Sequence, residues 1–403
     1  MRVLIAHNQY SQLGGEDIVV RAEKQLLENN SNSVKLWLVD NKDLPTGLSG
    51  KVRTAIECSY SKTRKKEADK KIREFNPDIV HVHNFFPQLS PSIYDSCEDA
   101  GIPVVQTLHN YRLICPGAML VRDGIICKKC VAGSPYQAAL YGCYRKSRLG
   151  TFAVARMIST NHKKKIWLNK VSAYITLTEF SKELFITGGL PANKLFVKPN
   201  FANDPFINSE FSRNKIFDRR TSKSALFVGR ISSEKGVKTM VSAWRKLEGK
   251  YRLKVVGDGP LASMINGQPG VDVLGKQPSG EVSRLMSEAQ ILVMPSECYE
   301  GLPMVIIEAF SQGIPVLASR LGAMKELIVE GKTGMLFEAG NGNDLAEKAS
   351  WMLEHKEECK RMGGNARQTY LEQYTPEKNY AHLMNIYSEV LQTNSGIRSI
   401  QCG

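Results

Sequence analysis

Short apolar, β-branched runs punctuate the chain, separated by stretches of helical period. In the first half these runs are Val3–Ala6, Val34–Val39, Asp78–Val82, Pro103–Leu108 and Ala173–Thr178. In the second half they are Ala225–Val228, Leu253–Val256, Ile291–Met294 and Pro315–Ala318. Runs this short and this apolar read as strands covered on both faces. Their alternation with helices predicts parallel sheets in an α/β fold. Several runs stop at Gly, Asn or His, which places those residues at carboxyl ends, where open sheets bind ligands. The pattern breaks at Lys198–Pro205, and a polar, charged stretch follows to Ser224. Two Rossmann-like lobes are therefore expected, residues 1–199 and 200–375, with parallel sheets facing a central cleft. A final helical pattern over 376–392 is expected to pack back on the first lobe, with 393–403 an unstructured tail.

Length agrees, because 403 residues are too many for one compact core. No apolar run approaches the roughly 20 residues of a membrane span. The N-terminal Met1–Asn8 lacks a signal-peptide pattern, so a cytoplasmic protein is expected, with its nine cysteines reduced or metal-bound. Charge adds something that the pattern does not show. Lys51–Arg73 is net +6 and Tyr144–Lys170 net +8, which accounts for the whole +14 of the chain. Localised positive charge of this kind points to an anionic partner surface.

Three stretches carry candidate chemistry. In Met294–Gly313 a strand ends at Pro295, a loop carries Glu300 and Gly301, and Leu302-Pro303 leads into a helix that Gly313 stops. Free amides at such a helix start suit a phosphate. Glu300 is placed to accept from sugar hydroxyls and Glu308 from a paired diol. Either glutamate alone is also an ordinary helix-associated acid. In Phe227–Gly236, Gly229, Arg230 and Lys235 put two cations at a strand's carboxyl end. Charge-assisted bonds to a leaving diphosphate contribute roughly 1.5–3 kcal/mol each. In the first lobe Gly14-Gly15 follows the first strand and permits close backbone approach to a phosphate, although an ordinary connector reads the same way. His109 ends the Val104–Leu108 run, and His7, His81 and His83 sit at other strand ends as candidate acceptor-side contacts. The run Gly257-Asp-Gly259-Pro matches the opening of a dinucleotide fingerprint, but Pro260 disturbs the helix start.

Glu300 and Glu308 with seven residues between them, preceded by Pro295-Ser296 and followed by Glu308-Ala309, resemble the retaining glycosyltransferases of family four, which have the GT-B fold. Gly229-Arg230…Lys235-Gly236 and Gly257-Asp-Gly-Pro fit the same family. Leu302-Pro303 departs from the Phe-Gly that many members carry there. The resemblance implies that Glu300 contacts the donor sugar, Glu308 the nucleotide ribose, Arg230 and Lys235 the diphosphate, and His109 the sugar. It makes Glu300, His109, Arg230 and Lys235 the catalytic candidates. Gly14, Gly15, Gly229, Gly301, Leu302 and Pro303 join Arg230, Lys235 and Glu308 as donor-binding candidates. No Asp-x-Asp pair occurs, which fits diphosphate held by cations without a bound divalent ion.

Cys115, Cys127, Cys130 and Cys143 lie in one loop, 115–143, at spacings that suit a closed structural zinc site or four reduced thiols. A subset of family-four sequences resembles this stretch, with His-Asn-Tyr-Arg, Cys-Pro and then Cys-x-x-Cys. Arg145–Lys170 mixes Leu149, Phe152, Val154, Met157, Ile158, Ile166 and Trp167 with cations, the composition of a helix on an anionic bilayer or of a packed helix with a basic face. The expected function is a retaining, hexose-transferring enzyme, peripheral on the inner face of the cell membrane. Its substrates would be a nucleotide sugar and a saccharide or polyprenyl-diphosphate-linked acceptor, in polysaccharide or lipopolysaccharide synthesis. No cofactor is required for its chemistry. The competing readings are a non-catalytic sugar-nucleotide-binding protein and a basic, cysteine-clustered nucleic-acid binder. The second lacks interleaved aromatics, so no nucleic-acid partner is expected.

Overall fold

The structure, a computed structural model, describes residues 1–11, 14–206 and 223–401, the last seven as backbone only. Gln12 and Leu13, beside the diglycine, and most of the charged stretch before Ser224 lie outside the described residues. The chain divides into two compact units. The first comprises Met1–Leu120, Cys127–Pro199 and Asn379–Gly403, and the second Val121–Ile126 and Asn200–Lys378.

In the first unit β1 (Arg2–Gln9), β2 (Ser33–Asp40), β3 (Ile79–Asn84) and β4 (Val104–Thr107) are followed by a small antiparallel hairpin, β5 (Val121–Arg122) and β6 (Ile125–Ile126), which groups with the second unit. The sheet then gains β7 (Ala173–Thr176) and β8 (Leu195–Val197). Its order is β2-β1-β3-β4-β7-β8, and every pairing is parallel. Strand order reverses between β1 and β3, so the crevice for a ligand lies at their carboxyl ends, where His7, Asn8, His83 and Asn84 sit.

The second unit holds β9 (Ser224–Val228), β10 (Arg252–Val256), β11 (Val271–Gly275), β12 (Ile291–Met294), β13 (Val316–Ser319) and β14 (Gly334–Phe337). They form an all-parallel sheet in the order β11-β10-β9-β12-β13-β14. Here the reversal falls between β9 and β12. The loops leaving those two strands are Gly229–Gly236 and Pro295–Pro303, the two stretches with the densest candidate chemistry.

β8, β11 and β14 were not evident from apolar runs, because each is a short outer strand. The last helix runs Pro376–Gln401, nine residues past the end at Gln392 that patterning gives and through most of the expected tail. Its Leu383, Ile386, Tyr387 and Val390 pack with Val3, Ile5, Ile79 and Val105 in the first unit's core. Apolar positions three and four apart bury one helix face there. No helix among the described residues is long and apolar enough to cross a membrane.

Candidate active site

The second unit's site is built by two loops that close on each other. After β9 the chain turns at Gly236, whose φ is +67° and where a Cβ would stand 1.7 Å from the Pro295 carbonyl oxygen, so only glycine fits. The Glu297 amide donates to the Glu234 carbonyl at 2.9 Å, tying the β12 loop to the β9 loop. That closure brings Lys235 Nζ to 2.6 Å from Glu300 Oε1. Ser296 Oγ donates to the same oxygen at 2.7 Å, and the Cys298 thiol lies 3.8 Å from it. Burial works against a charged Lys235, but Glu300 outweighs it and raises the ammonium's pKa, so the side chain stays cationic.

Arg230 is exposed and makes no ion pair among the described residues, which leaves an uncompensated cation on the loop that carries Lys235. Its loop is fixed by backbone contacts. Gly229 N–H donates to Val256 O and Ile231 N–H to Asp258 O, both at 2.9 Å. A Cβ on Gly257 would meet Gly229 O at 1.8 Å, and one on Gly259 would meet Ile231 O at 2.3 Å. The fingerprint-like Gly257-Asp-Gly259-Pro therefore serves close packing of two loops, which explains its glycines without a dinucleotide.

Beyond Glu300, Gly301 is partly exposed, while Leu302 and Pro303 are buried. Pro303 is the N-cap of the helix Met304–Ser311, and Gly313, at φ +66°, ends the turn that follows it. Glu308 is half-buried on this helix with no carboxylate partner among the described residues, and burial raises its pKa. An unpartnered acid in that position gains from accepting hydroxyls. Gly229, Arg230, Lys235, Glu300, Gly301, Leu302, Pro303 and Glu308 thus all belong to the loops and helix at one switch point. Sequence reasoning missed Ser296 and Cys298 as partners of Glu300; both lie in the quoted motif, but only the loop's turn aims them.

In the first unit His7 and His83 do lie near the carboxyl ends of β1 and β3, but they and His81 are buried rather than open to a ligand. His81 uses both ring nitrogens, Nδ1 with Tyr387 Oη at 2.7 Å and Nε2 with Thr107 Oγ1 at 2.8 Å. His7 Nε2 pairs with Asp17 Oδ1 at 2.8 Å. His109, just past β4, is partly exposed. Its Nε2 is 2.9 Å from His83 Nδ1, and the two rings stack. Burial pushes the His109 pKa well below its ordinary value, so the ring is neutral. Glu23 and Lys198, unnoticed in the sequence, form a fully buried pair at 3.0 Å beside these rings. Glu23 was detectable in principle, since it interrupts the apolar face Val19, Val20, Leu26, Leu27 of its helix.

Gly14 caps the helix Gly15–Asn29, and its amide already donates to Asp17 Oδ2 at 2.7 Å. Gly15 is exposed, and a Cβ there would meet nothing within 4 Å, so local crowding does not demand glycine. Neighbouring Glu16 has its pKa pushed up to about 8 by burial and by Asp17, which leaves it uncharged beside this helix start at neutral pH.

The four loop cysteines share one neighbourhood. Burial, then the charges of Cys115, Cys127 and Cys143, push the Cys130 thiol up to about 11. No three of their sulfurs lie within 4.8 Å of one another, wider than the roughly 3.8 Å that tetrahedral zinc–thiolate geometry needs. The basic segment takes the packed-helix form of its two readings: Val154, Met157, Ile158, Ile166 and Trp167 are core, and of its apolar residues Leu149 and Phe152 are exposed. An exposed apolar stripe lies instead on the helix Gly47–Glu57, at Leu48, Val52 and Ile56. That helix packs on the helix Arg148–Lys163, with Arg156 donating to Ile56 O at 3.0 Å.

Residues 49–204 match the model of glycosyltransferase family 4, and residues 208–369 that of the glycosyl transferases group 1. A sulfoquinovosyl transferase of Arabidopsis thaliana is 32% identical over 48% of this chain and 39% of its own length. A Bacillus subtilis glycosyltransferase assigned to teichuronic acid biosynthesis is 25% identical over 80% of this chain and 74% of its own. The chain spans less than half the length of the first curated relatives that it matches. Among solved structures, Anabaena HepE in complex with UDP aligns with a TM-score of 0.65 at 17% identity, over 98% of this chain and 100% of that one. With two parallel α/β units and two family models dividing most of its length, the chain belongs to the family-four, group 1 glycosyltransferases of GT-B fold.

Proposed function

We propose that the protein transfers a sugar, a hexose in the simplest case, from a nucleotide donor to a hydroxyl of a saccharide or lipid-linked saccharide, with retention of configuration. The observation that carries this reading is the Lys235–Glu300 pair at 2.6 Å, on loops that also carry Arg230, at the switch point of the second sheet. Glu300 accepts from hydroxyls of the donor sugar, and Glu308 accepts from the ribose. Arg230 and Lys235 neutralise the leaving diphosphate, where fixed charge lowers the barrier without reorganisation. The acceptor oxygen bonds to the anomeric carbon as its bond to the diphosphate breaks, and the acceptor's proton passes to the departing phosphate oxygen. No step is routed through a metal. The UDP held by the Anabaena neighbour and the polysaccharide role assigned to the Bacillus relative favour this donor class and a cell-surface pathway.

The exposed stripe Leu48, Val52, Ile56, together with exposed Leu149 and Phe152 and the cations Lys163, Lys164 and Lys165, supports contact with an anionic membrane on its inner face. A panel of nucleotide sugars, assayed for release of nucleoside diphosphate, tests the proposal. Turnover of at least one donor is expected. Binding of a donor without turnover of any favours a non-catalytic sensor, and no binding at all removes the reading.

A further inference from the structure

In the first unit the loops that leave β1, β3 and β4 converge on one arginine. Arg112 follows β4, and its guanidinium carbon lies 4.6 Å from the ring centre of Phe86, which follows β3. The Tyr144 ring centre is 5.1 Å from the same carbon, and the two rings meet edge to face at 5.6 Å. Asn110 fixes the backbone here, its Oδ1 accepting from the Arg112 amide at 3.1 Å. Asn110 Nδ2 reaches Tyr10 Oη at 3.3 Å and Glu16 Oε2 at 3.4 Å, both just past β1. Arg112 therefore stands at the carboxyl edge of the sheet, on the side where its strand order reverses, and it is partly exposed.

Charge around this arginine does not balance. A guanidinium has five N–H donors and no acceptor. Nη1 donates to the Pro116 carbonyl, and no carboxylate pairs with the side chain among the described residues. The acids on the β1 loop are committed elsewhere. Asp17 takes His7 Nε2 at 2.8 Å and the amides of Gly14 and Tyr10 at 2.7 and 3.3 Å. Glu16 is uncharged at neutral pH, its pKa pushed up to about 8 by burial and Asp17. Arg145 adds a second cation 5.4 Å from the Tyr144 ring, and Tyr144–Lys170 contains no acid at all. Two aromatic faces attract a guanidinium but supply no counter-charge. Burial lowers the Arg112 pKa, yet an arginine keeps its proton in a protein. A packing role alone does not account for a charge left uncompensated with donors to spare. The planar fork matches the paired oxygens of a phosphate or a carboxylate.

We propose that Arg112, walled by Phe86 and Tyr144 and supported by Arg145, binds an anionic group of the acceptor, a phosphate or a carboxylate. This deepens the transferase reading by naming the acceptor's class, and it rests on that reading for there being an acceptor. A neutral glycan would leave the guanidinium without a counter-charge.

The test follows the Arg112 side-chain signals by ¹⁵N NMR of the full chain labelled on arginine, assigned by their loss in Arg112→Lys. Sodium phosphate, sodium glucuronate and glucose are titrated at neutral pH, with sodium chloride as the ionic-strength control. Saturable movement with phosphate or glucuronate, and none with glucose, is expected. The anion that binds more tightly tells a phosphate-bearing acceptor from an acidic saccharide. No movement with either anion, or equal movement with chloride, overturns the proposal. Anions held by Arg230 and Lys235 do not interfere, because the signal belongs to Arg112. In turnover, Arg112→Gln should raise the KM of an anionic acceptor about tenfold or more, the scale for one charge-assisted contact, with the donor KM within about twofold. Arg112→Lys keeps the charge without the fork and should recover part of the loss. An unchanged acceptor KM in Arg112→Gln also overturns the proposal. Should that variant not fold, the wild-type titration still decides. Saturable anion binding at Arg112 in a chain that turns over no donor would keep the anion site and refute the transferase reading, so the two failures are separable.

Discussion

Each unit contains a lysine–glutamate pair, and the two pairs do opposite work. Lys198–Glu23 is 1% exposed on both sides; the lysine also donates to Asn379 Oδ1, and His81 and His83 lie 3.1 Å from the carboxylate. Lys235–Glu300 is shorter, but 24% and 14% exposed, and it sits on loops at a sheet's switch point that also carry Arg230, which has no ion pair among the described residues. A buried pair has already been desolvated, so removing one partner strands a charge. A partly exposed pair can exchange its partner for a ligand and loses little when broken. Burial, rather than the identity of the residues, separates the pair that holds the fold from the pair that is available for chemistry.

The sharpest way to break this comparison is to make the same substitution in both pairs. Lys198→Met should cost about 3–5 kcal/mol of stability, read as a lowered urea midpoint. Lys235→Met should cost no more than about 1 kcal/mol of stability. It should nonetheless lower kcat by about 10²–10³, the scale for removing one fixed stabiliser of developing charge. Equal stability losses in the two variants would erase the distinction.

A smaller effect comes from Glu16, whose pKa is about 8 in the fold. Unfolded, a glutamate ionises near about 4.3. Between those values the folded chain holds a proton that the unfolded chain has released, so stability is full at low pH and falls as pH rises toward 8. The slope contributed is up to about 1.4 kcal/mol per pH unit. Glu16→Gln should flatten it in urea unfolding across that window, and an unchanged slope would place the loss elsewhere.

The two regions also differ in how much could be read from the sequence. Gly229, Arg230, Lys235, Glu300 and Glu308 lie in two short stretches punctuated by Gly and Pro, and loops at strand ends keep their chemistry local in the chain. The strands that carry these loops were evident as apolar runs. The Glu23–Lys198 pair spans 175 positions, and only the pairing of β1, β3 and β8 with the neighbouring helices brings it together. His81 and His83 alternate with Val80 and Val82 in a strand buried on both faces, so the period of two that usually separates core from solvent does not operate there. The basic segment stayed open between two readings for a related reason. Val154, Met157 and Ile158 supply core packing while the cations beside them face solvent, and composition alone cannot divide a helix into faces.

The most direct test of the central claim is nucleoside diphosphate release by wild type and Glu300→Gln, each saturated with the donor that the panel identifies. The account predicts a loss of at least about 10² in kcat for the variant, with the fold and nucleotide binding retained. Wild-type turnover in Glu300→Gln would contradict it.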